Sequence, residues 1–163
     1  MGSGMGGHHS PVMGKDEWLT PPTIIKALGE FDLDPCSPVV RPWDTAKRHY
    51  HQYDDGLMLP WSGRVWMNPP YGKHTGKWLN KLALHGDGIA LIFARTETEM
   101  FFKEVWGRAD ALLFIKGRLR FHHVTGEVGA TNSGAPSVLV AYGWWNVMAL
   151  ERCDIAGKFI KLK

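Results

Sequence analysis

The amino-acid sequence predicts an α/β domain built on a mostly parallel sheet that ends in an antiparallel hairpin. Two patterns predict it. In the first part of the chain, short apolar runs alternate with amphipathic segments, and "IALIF" at 89–93 is apolar at every position, as a strand covered on both faces must be. Beyond residue 110, "ALLFI" (111–115), "RLRFH" (118–122) and "SVLVAY" (137–142) follow one another with no helical segment between them, as antiparallel strands do.

Taken in order, the opening "MGSGMGGHHSPV" is glycine-rich and has no hydrophobic period, so residues 1–14 read as a disordered arm or expression remnant before a single domain over 15–163. Thr20 ahead of Pro21 and Pro22 predicts a helix start, with a hydroxyl to cap it and proline in the first turn. Ile24, Ile25 and Leu28 form its apolar face, and Gly29 stops it. "FDLD" (31–34) and "RVWM" (64–67) are short strands. Thr96 and Glu99 have capping-box spacing for a helix that Phe101 and Val105 carry to about Trp106.

Composition bounds the function. A chain of 163 residues with 44% hydrophobic content suits one domain with a real core. Its 19 Lys and Arg against 16 Asp and Glu leave a net charge of +3, which permits an anionic partner without demanding one. Cys36 and Cys153 stand far apart and form no CxxC pair, which argues against a disulfide framework and a zinc site and favours the cytoplasm. No apolar run reaches the roughly 18 residues of a membrane helix, since "APSVLVAYGWWNVMAL" is broken by Gly143 and Asn146, and no secretory signal opens the chain. The eight tryptophans, Trp144 and Trp145 among them, read as core or interface.

In an open α/β sheet ligands bind beyond the carboxyl ends of the strands, and both "FDLD-PC" and "VWM-NPPY" put polar residues there. Pro69 and Pro70 have fixed φ and no N–H, and Asn68, preceding a proline, is biased to an extended conformation. The turn therefore offers two fixed acceptors, the Asn68 amide oxygen and the Pro69 carbonyl, beside a flat ring, Tyr71. Two acceptors and a ring suit an exocyclic amine on an aromatic base. Its lone pair is delocalised into the ring, and accepting both N–H hydrogens pulls the nitrogen toward tetrahedral geometry. The electrophile must then be strong and held in line, as the methyl sulfonium of S-adenosylmethionine is. The bland alternatives are a rigid turn for NPPY, a strand end for Asp34 and turn residues before Gly56 for Asp54 and Asp55.

"NPPY" after a hydrophobic strand resembles the catalytic motif of amino-methyltransferases acting on adenine, cytosine N4 or glutamine. With "DEWLTPP", "FDLDPCSP", "AKRHYHQYDDGLMLPW", "ARTETEMFFKEVW", "GRLRF" and "GAPSVLVAYG", in that order, the chain is similar to the small phage-type DNA N-6-adenine methyltransferases, the Dam group. The resemblance implies a Rossmann-like class I fold dependent on S-adenosylmethionine, with no separate target-recognition domain. It implies that Asn68, Pro69, Pro70 and Tyr71 hold the target adenine. It places Asp34, Pro35 and Cys36 in a cofactor loop, Trp18, Thr20 and Pro21 near the same cofactor, and Asp55, with Asp54, opposite the cofactor adenine. The usual glycine-rich tail of that loop is replaced by "SPV", and the short span from Asp34 to Asn68 leaves little room for a second strand.

Such an enzyme must extrude its base from the duplex and hold the DNA meanwhile. Period two in "KGRLRFHH" puts Lys116, Arg118, Arg120 and His122 on one face, a basic stripe suited to phosphates, with Leu119 and Phe121 on the other. Lys73, Lys77 and Lys81 form a second basic row if their segment is helical; lysine rows are also ordinary solvated faces. The polar, glycine-rich stretch 122–136 is long enough to reach a groove. DNA is the expected partner, no metal is required, and a homodimer is allowed. The rival readings are methylation of cytosine N4 or of a protein glutamine, against which the basic stripe argues, and a non-catalytic DNA-binding module.

Overall fold

The computed structural model describes residues 19–123, 125–129 and 134–163. The expected arm over 1–14 and the candidate Trp18 lie outside these residues, as does part of the 122–136 stretch.

Helix α1 (Pro22–Leu28) starts on the second proline, which gives up an N–H that has no partner in the first turn, and ends at Gly29, whose φ of 93° favours glycine. The expected cap by Thr20 does not form. The capping position is Pro21, one residue later, and no side chain bonds the helix start. Strand β1 (Leu33–Asp34) runs parallel to both its neighbours, β2 (Arg48–His49) and β3 (Val65–Met67). The short span before Asn68 therefore does contain a second strand, reduced to two residues. Helix α2 (Thr75–His85) crosses over to β4 (Gly88–Phe93), which is parallel to β3. A π-helical turn (Phe101–Trp106) leads to β5 (Ala111–Ile115). Its start is set by Thr98, whose hydroxyl accepts the Phe101 N–H at 3.2 Å, rather than by the expected capping box of Thr96 and Glu99.

The remaining elements are β6 (Ser137–Tyr142), α3 (Trp144–Arg152) and β7 (Gly157–Lys161). Across the sheet the order is β2-β1-β3-β4-β6-β5-β7. Neighbouring pairs divide evenly, with three parallel and three antiparallel, so the mostly parallel sheet expected from the sequence is found in one half only. The cause is β6, which doubles back between β4 and β5 and is antiparallel to each. The predicted strand over 118–122 is also absent. Gly117, at φ 77°, breaks the extended run, and β5 pairs on its outer side with β7, which the sequence pattern did not reveal. Of the 118–122 segment only His122 makes bridges, to Leu19 and Val128.

Both faces of the sheet are covered, which explains its continuous apolar runs. Leu33, Val65, Met67, Ala90, Ile92 and Val140 pack under α2 and the π-helical turn. Trp66, Ile89, Leu91, Leu113 and Leu139 pack with Ile24 and Leu28 of α1 and Val147 and Leu150 of α3. Trp144 and Trp145, expected in the core or an interface, are 65% and 69% exposed at the start of α3. Asn146, which interrupts the apolar run of the sequence, is fully buried and ties three segments together. Its Oδ1 accepts from Arg64 Nε at 2.7 Å, and its Nδ2 donates to Asp87 Oδ1 and to the Tyr142 carbonyl, both at 2.8 Å.

Replacing Asn146 by Ala strips these buried groups of their partner together. Asn146→Ala is expected to lower the unfolding free energy by about 2–3 kcal/mol, measured by urea titration.

Candidate active site at the carboxyl ends of the strands

Because β1, β2, β3 and β4 point the same way, the residues that follow them emerge on one edge of the sheet. The loops after β1 and β2 are laced together by backbone bonds: Tyr50 N–H donates to the Asp34 carbonyl and Ser37 N–H to the Tyr50 carbonyl, each at 2.9 Å. Gly56 packs so closely on this pair that a Cβ would run into the Pro35 carbonyl oxygen. The "DDG" segment is thereby pressed against the "DPC" segment, and Asp55 reaches the left-handed region at φ 57°, a conformation Asp tolerates better than most residues. Asp54 bonds the His51 N–H at 2.9 Å.

Asp34 is buried at the end of β1. One of its oxygens takes the Thr45 hydroxyl and the other the Cys36 N–H at 3.1 Å. Burial raises its carboxyl to about 6, although these two hydrogen bonds and the charge of Arg41 oppose the shift. The Cys36 thiol is pushed well above its usual range by burial, with the charge of Asp34 adding to it and a hydrogen bond from the Asn68 backbone N–H opposing it.

Asn68 follows β3 directly and is half-buried; its Nδ2 donates to Thr20 Oγ1 at 3.3 Å. Among the described residues no donor reaches its Oδ1 or the Pro69 carbonyl. Pro69 is buried, while the Pro70 carbonyl accepts from Thr75 Oγ1 at 2.8 Å and the same hydroxyl accepts the Gly72 N–H at 2.9 Å. Thr75, the first residue of α2, thus clasps the turn. The Tyr71 ring lies 4.7 Å from that of Phe93, and its hydroxyl donates to the Phe93 carbonyl at 3.3 Å. Burial raises the Tyr71 hydroxyl above its ordinary range, and the charge of Arg95 beside it opposes the shift.

Thr20, Pro21, Asp34, Pro35, Cys36, Asp54, Asp55, Asn68, Pro69, Pro70 and Tyr71 therefore belong to one connected set of loops. The basic candidates fall into separate groups. Lys73 precedes α2 and Lys77 lies on it, both exposed, whereas Lys81 donates to the Leu57 carbonyl at 2.7 Å and the Leu59 carbonyl at 2.5 Å and sits over the Trp61 ring. Lys81 thus holds the 55–61 loop, and the expected row of three free lysines is a row of two. Lys116, Arg118 and Arg120 are exposed; His122 is half-buried with its ring edge-on to Trp43. Sequence reasoning missed Thr45, Thr75 and Arg95. Only Thr75 had a local signal, a hydroxyl three residues after Gly72 at a helix start.

Among the described residues no cluster of three metal-capable side chains converges, and no helix is long and apolar enough to cross a membrane. The family model described as DNA N-6-adenine-methyltransferase (Dam) matches residues 7–153 of the 163. The chain belongs to that family. It is therefore a DNA-methylating enzyme of the adenine-N6 class, and the reading as a non-catalytic module is set aside. No curated protein and no solved structure matches the chain. The match takes in every loop of the site that this Dam-family chain presents at its strand ends.

The raised carboxyl of Asp34 has a definite sign in pH. Between about pH 4 and 6 the folded chain holds a proton at Asp34 that the unfolded chain has lost. Folding takes up that proton, so this group's contribution to stability is fullest below about pH 4 and falls away as pH rises through about 6. The stability of wild type relative to Asp34→Asn should accordingly drop by about 2 kcal/mol between pH 4 and pH 7.5, read from urea unfolding at each pH.

Proposed function

We propose that this Dam-family enzyme transfers a methyl group from S-adenosylmethionine to adenine N6 in DNA, with Asn68 and Pro69 as the acceptors that activate the amine. The observation that carries the reading is that Asn68 follows β3 at the sheet edge where the loop after β1 also emerges, half-buried and with its amide bonded to Thr20 Oγ1 at 3.3 Å. The residues fit the cofactor. Loops bearing Asp34, Asp54 and Asp55 close on one another at the same sheet edge, which sets side by side the positions that the resemblance assigns to the methionine part and the adenine of the cofactor. Thr20, Pro21, Pro35 and Cys36 complete that side, with Asn68 at the boundary between cofactor and base; the resemblance alone assigns Trp18 to the cofactor. When bound, S-adenosylmethionine supplies an electrophilic methyl group on sulfur.

The chain's own task is to prepare the nitrogen. Asn68 Oδ1 and the Pro69 carbonyl accept the two N–H hydrogens of the extruded adenine, so the lone pair is withdrawn from ring delocalisation and turned toward the donor. Tyr71, fixed through Phe93, stacks on the base and offsets part of the few kcal/mol that extrusion costs. No basic side chain is needed, because methylation of the neutral NH2 leaves a positively charged nitrogen that is strongly acidic and loses its surplus proton to solvent. The half of the sheet formed by β2, β1, β3 and β4 supports a Rossmann-like class I reading, in which the reversed β6 is inserted before β5. The arm over 1–14 and one domain over 15–163 complete this description. The resemblance to small phage-type enzymes supports a phage or prophage origin and action in the bacterial cytoplasm.

Lys73, Lys77, Lys116, Arg118, Arg120 and His122 are the proposed contacts to DNA. Although 118–122 is not a strand, Arg118 and Arg120 are exposed while Leu119 and Phe121 pack on the core, so the basic side remains.

Incubation with labelled S-adenosylmethionine and mixed-sequence DNA, followed by nucleoside analysis, should return N6-methyladenine; label in N4-methylcytosine or in protein would overturn the assignment. Asn68→Ala should abolish transfer while cofactor binding, followed calorimetrically, survives. Neutralising Arg118 and Arg120 together should weaken DNA binding and reduce the slope of log affinity against log salt by roughly one per arginine lost. An unchanged slope would move the phosphate contacts elsewhere.

A further inference from the structure

The DNA contacts proposed above lie around the start of α2 and on the 116–122 segment, and none of them is assigned to the nucleotide that leaves the stack. We infer that Arg95 holds a phosphate of that nucleotide, next to the extruded adenosine. The inference rests on the reading of Tyr71 as the ring on which the base stacks, and adds the cation that fixes the backbone beside it.

Extrusion swings a nucleotide about its own sugar–phosphate backbone and into the site. A base stacked on a ring has its phosphate one sugar away, so a cation serving that phosphate must lie beside the ring without covering it. Arg95 has that place. Strands β3 and β4 are neighbours in the sheet, and the residues just past the end of β4 therefore emerge next to the NPPY turn. Both Tyr71 and Arg95 lie against one ring, that of Phe93, the last residue of β4. The Tyr71 ring is 4.7 Å from it and the Arg95 guanidinium carbon 5.8 Å, centroid distances in both cases. Tyr71 stays 40% exposed, which leaves surface for a base. Burial raises the Tyr71 hydroxyl and the charge of Arg95 opposes that rise, in keeping with their nearness.

The backbone beneath Arg95 is locked. Its N–H donates to the Phe93 carbonyl at 2.9 Å, and its own carbonyl accepts from the Thr98 hydroxyl at 2.9 Å and the Thr98 N–H at 3.3 Å. The Ala94 N–H before it donates to the Pro136 carbonyl at 2.8 Å. A side chain rising from a fixed base has less freedom to lose on binding than one on a mobile loop. Glu97 and Glu99 follow on the same loop, both exposed, yet no ion pair among the described residues includes Arg95. An exposed guanidinium passed over by two carboxylates of its own loop is open to an external anion. Its planar fork matches two phosphate oxygens.

The test couples the side chain to the phosphate. On a duplex carrying a site that the enzyme methylates, the two phosphates flanking the target adenosine are replaced in turn by methylphosphonate, which removes the charge. Arg95→Gln should weaken DNA binding about tenfold, as should one of the two replacements with the wild type. The two changes together should cost no more than either alone, and the Kd for S-adenosylmethionine should not move. Losses that multiply at both phosphates overturn the proposal, because Arg95 would then act elsewhere. Unchanged DNA affinity in Arg95→Gln overturns it directly, and weakened cofactor binding overturns it in favour of a cofactor contact. Should Arg95→Gln fail to fold, as judged by thermal melting, Arg95→Lys, which keeps the charge and loses the fork, is put through the same pairing and judged by the same rule. The underlying reading fails differently. If it is wrong, Tyr71→Ala retains full turnover; if only the inference is wrong, Tyr71→Ala still cripples transfer while the phosphate losses multiply.

Discussion

The feature on which the rest depends is the contact between the loops that leave β1, β2 and β3. Strands β1 and β2 are two residues long, so their loops depart at the same height and must pack on each other at once. They do so through a backbone so close that position 56 admits no side chain against the Pro35 carbonyl. Lys81 braces the far side of this junction from α2 through its bonds to the Leu57 and Leu59 carbonyls. Helix position, loop position and the NPPY turn are thus coupled, because α2 begins at Thr75, the residue that clasps Pro70 and Gly72. A shift in any one part is passed to the others.

The site's polarity follows from the same packing. The acceptors proposed to engage the amine are neutral groups at the rim of a dry core, where a carboxylate is costly unless bonded. Asp34 shows the balance: Thr45 and the Cys36 N–H occupy its oxygens, and burial still outweighs them. Asn68 and Pro69 carry no charge to desolvate, and the acceptors they present stay strong at low local dielectric. An acidic or basic side chain in their place would exact a desolvation penalty that amine activation does not require.

Much of this was legible in the sequence because it rests on local rules. The double proline before Ile24 located α1, the fully apolar "IALIF" located a strand buried on both faces, and "VWM" before "NPPY" located a strand that ends in a polar turn. What escaped notice depends on contacts between distant residues. Strand β7 reads as "GKFIK", half polar, because it lies at an edge with one partner; no alternation marks it. The run 118–122 alternates like a strand, yet a single positive φ at Gly117 and the competing pairing of β7 on β5 deny it a ladder. Lys81 keeps the spacing of a DNA-facing row and is spent on carbonyls 22 to 24 residues away in sequence. Thr45 meets Asp34 across a loop that no periodicity describes.

The reversed strand also has a bearing on biogenesis. Strand β6 seals the flank of β4 along six residue pairs, but it lies more than forty residues downstream. On the ribosome, β4 emerges with that backbone edge unpaired and stays so until residue 142 clears the exit tunnel. A bare ladder edge is the template on which nascent chains stick to one another. Slow translation between Phe93 and Ser137 would lengthen that exposure, so this architecture places a premium on rapid elongation or on a chaperone that shields the growing sheet.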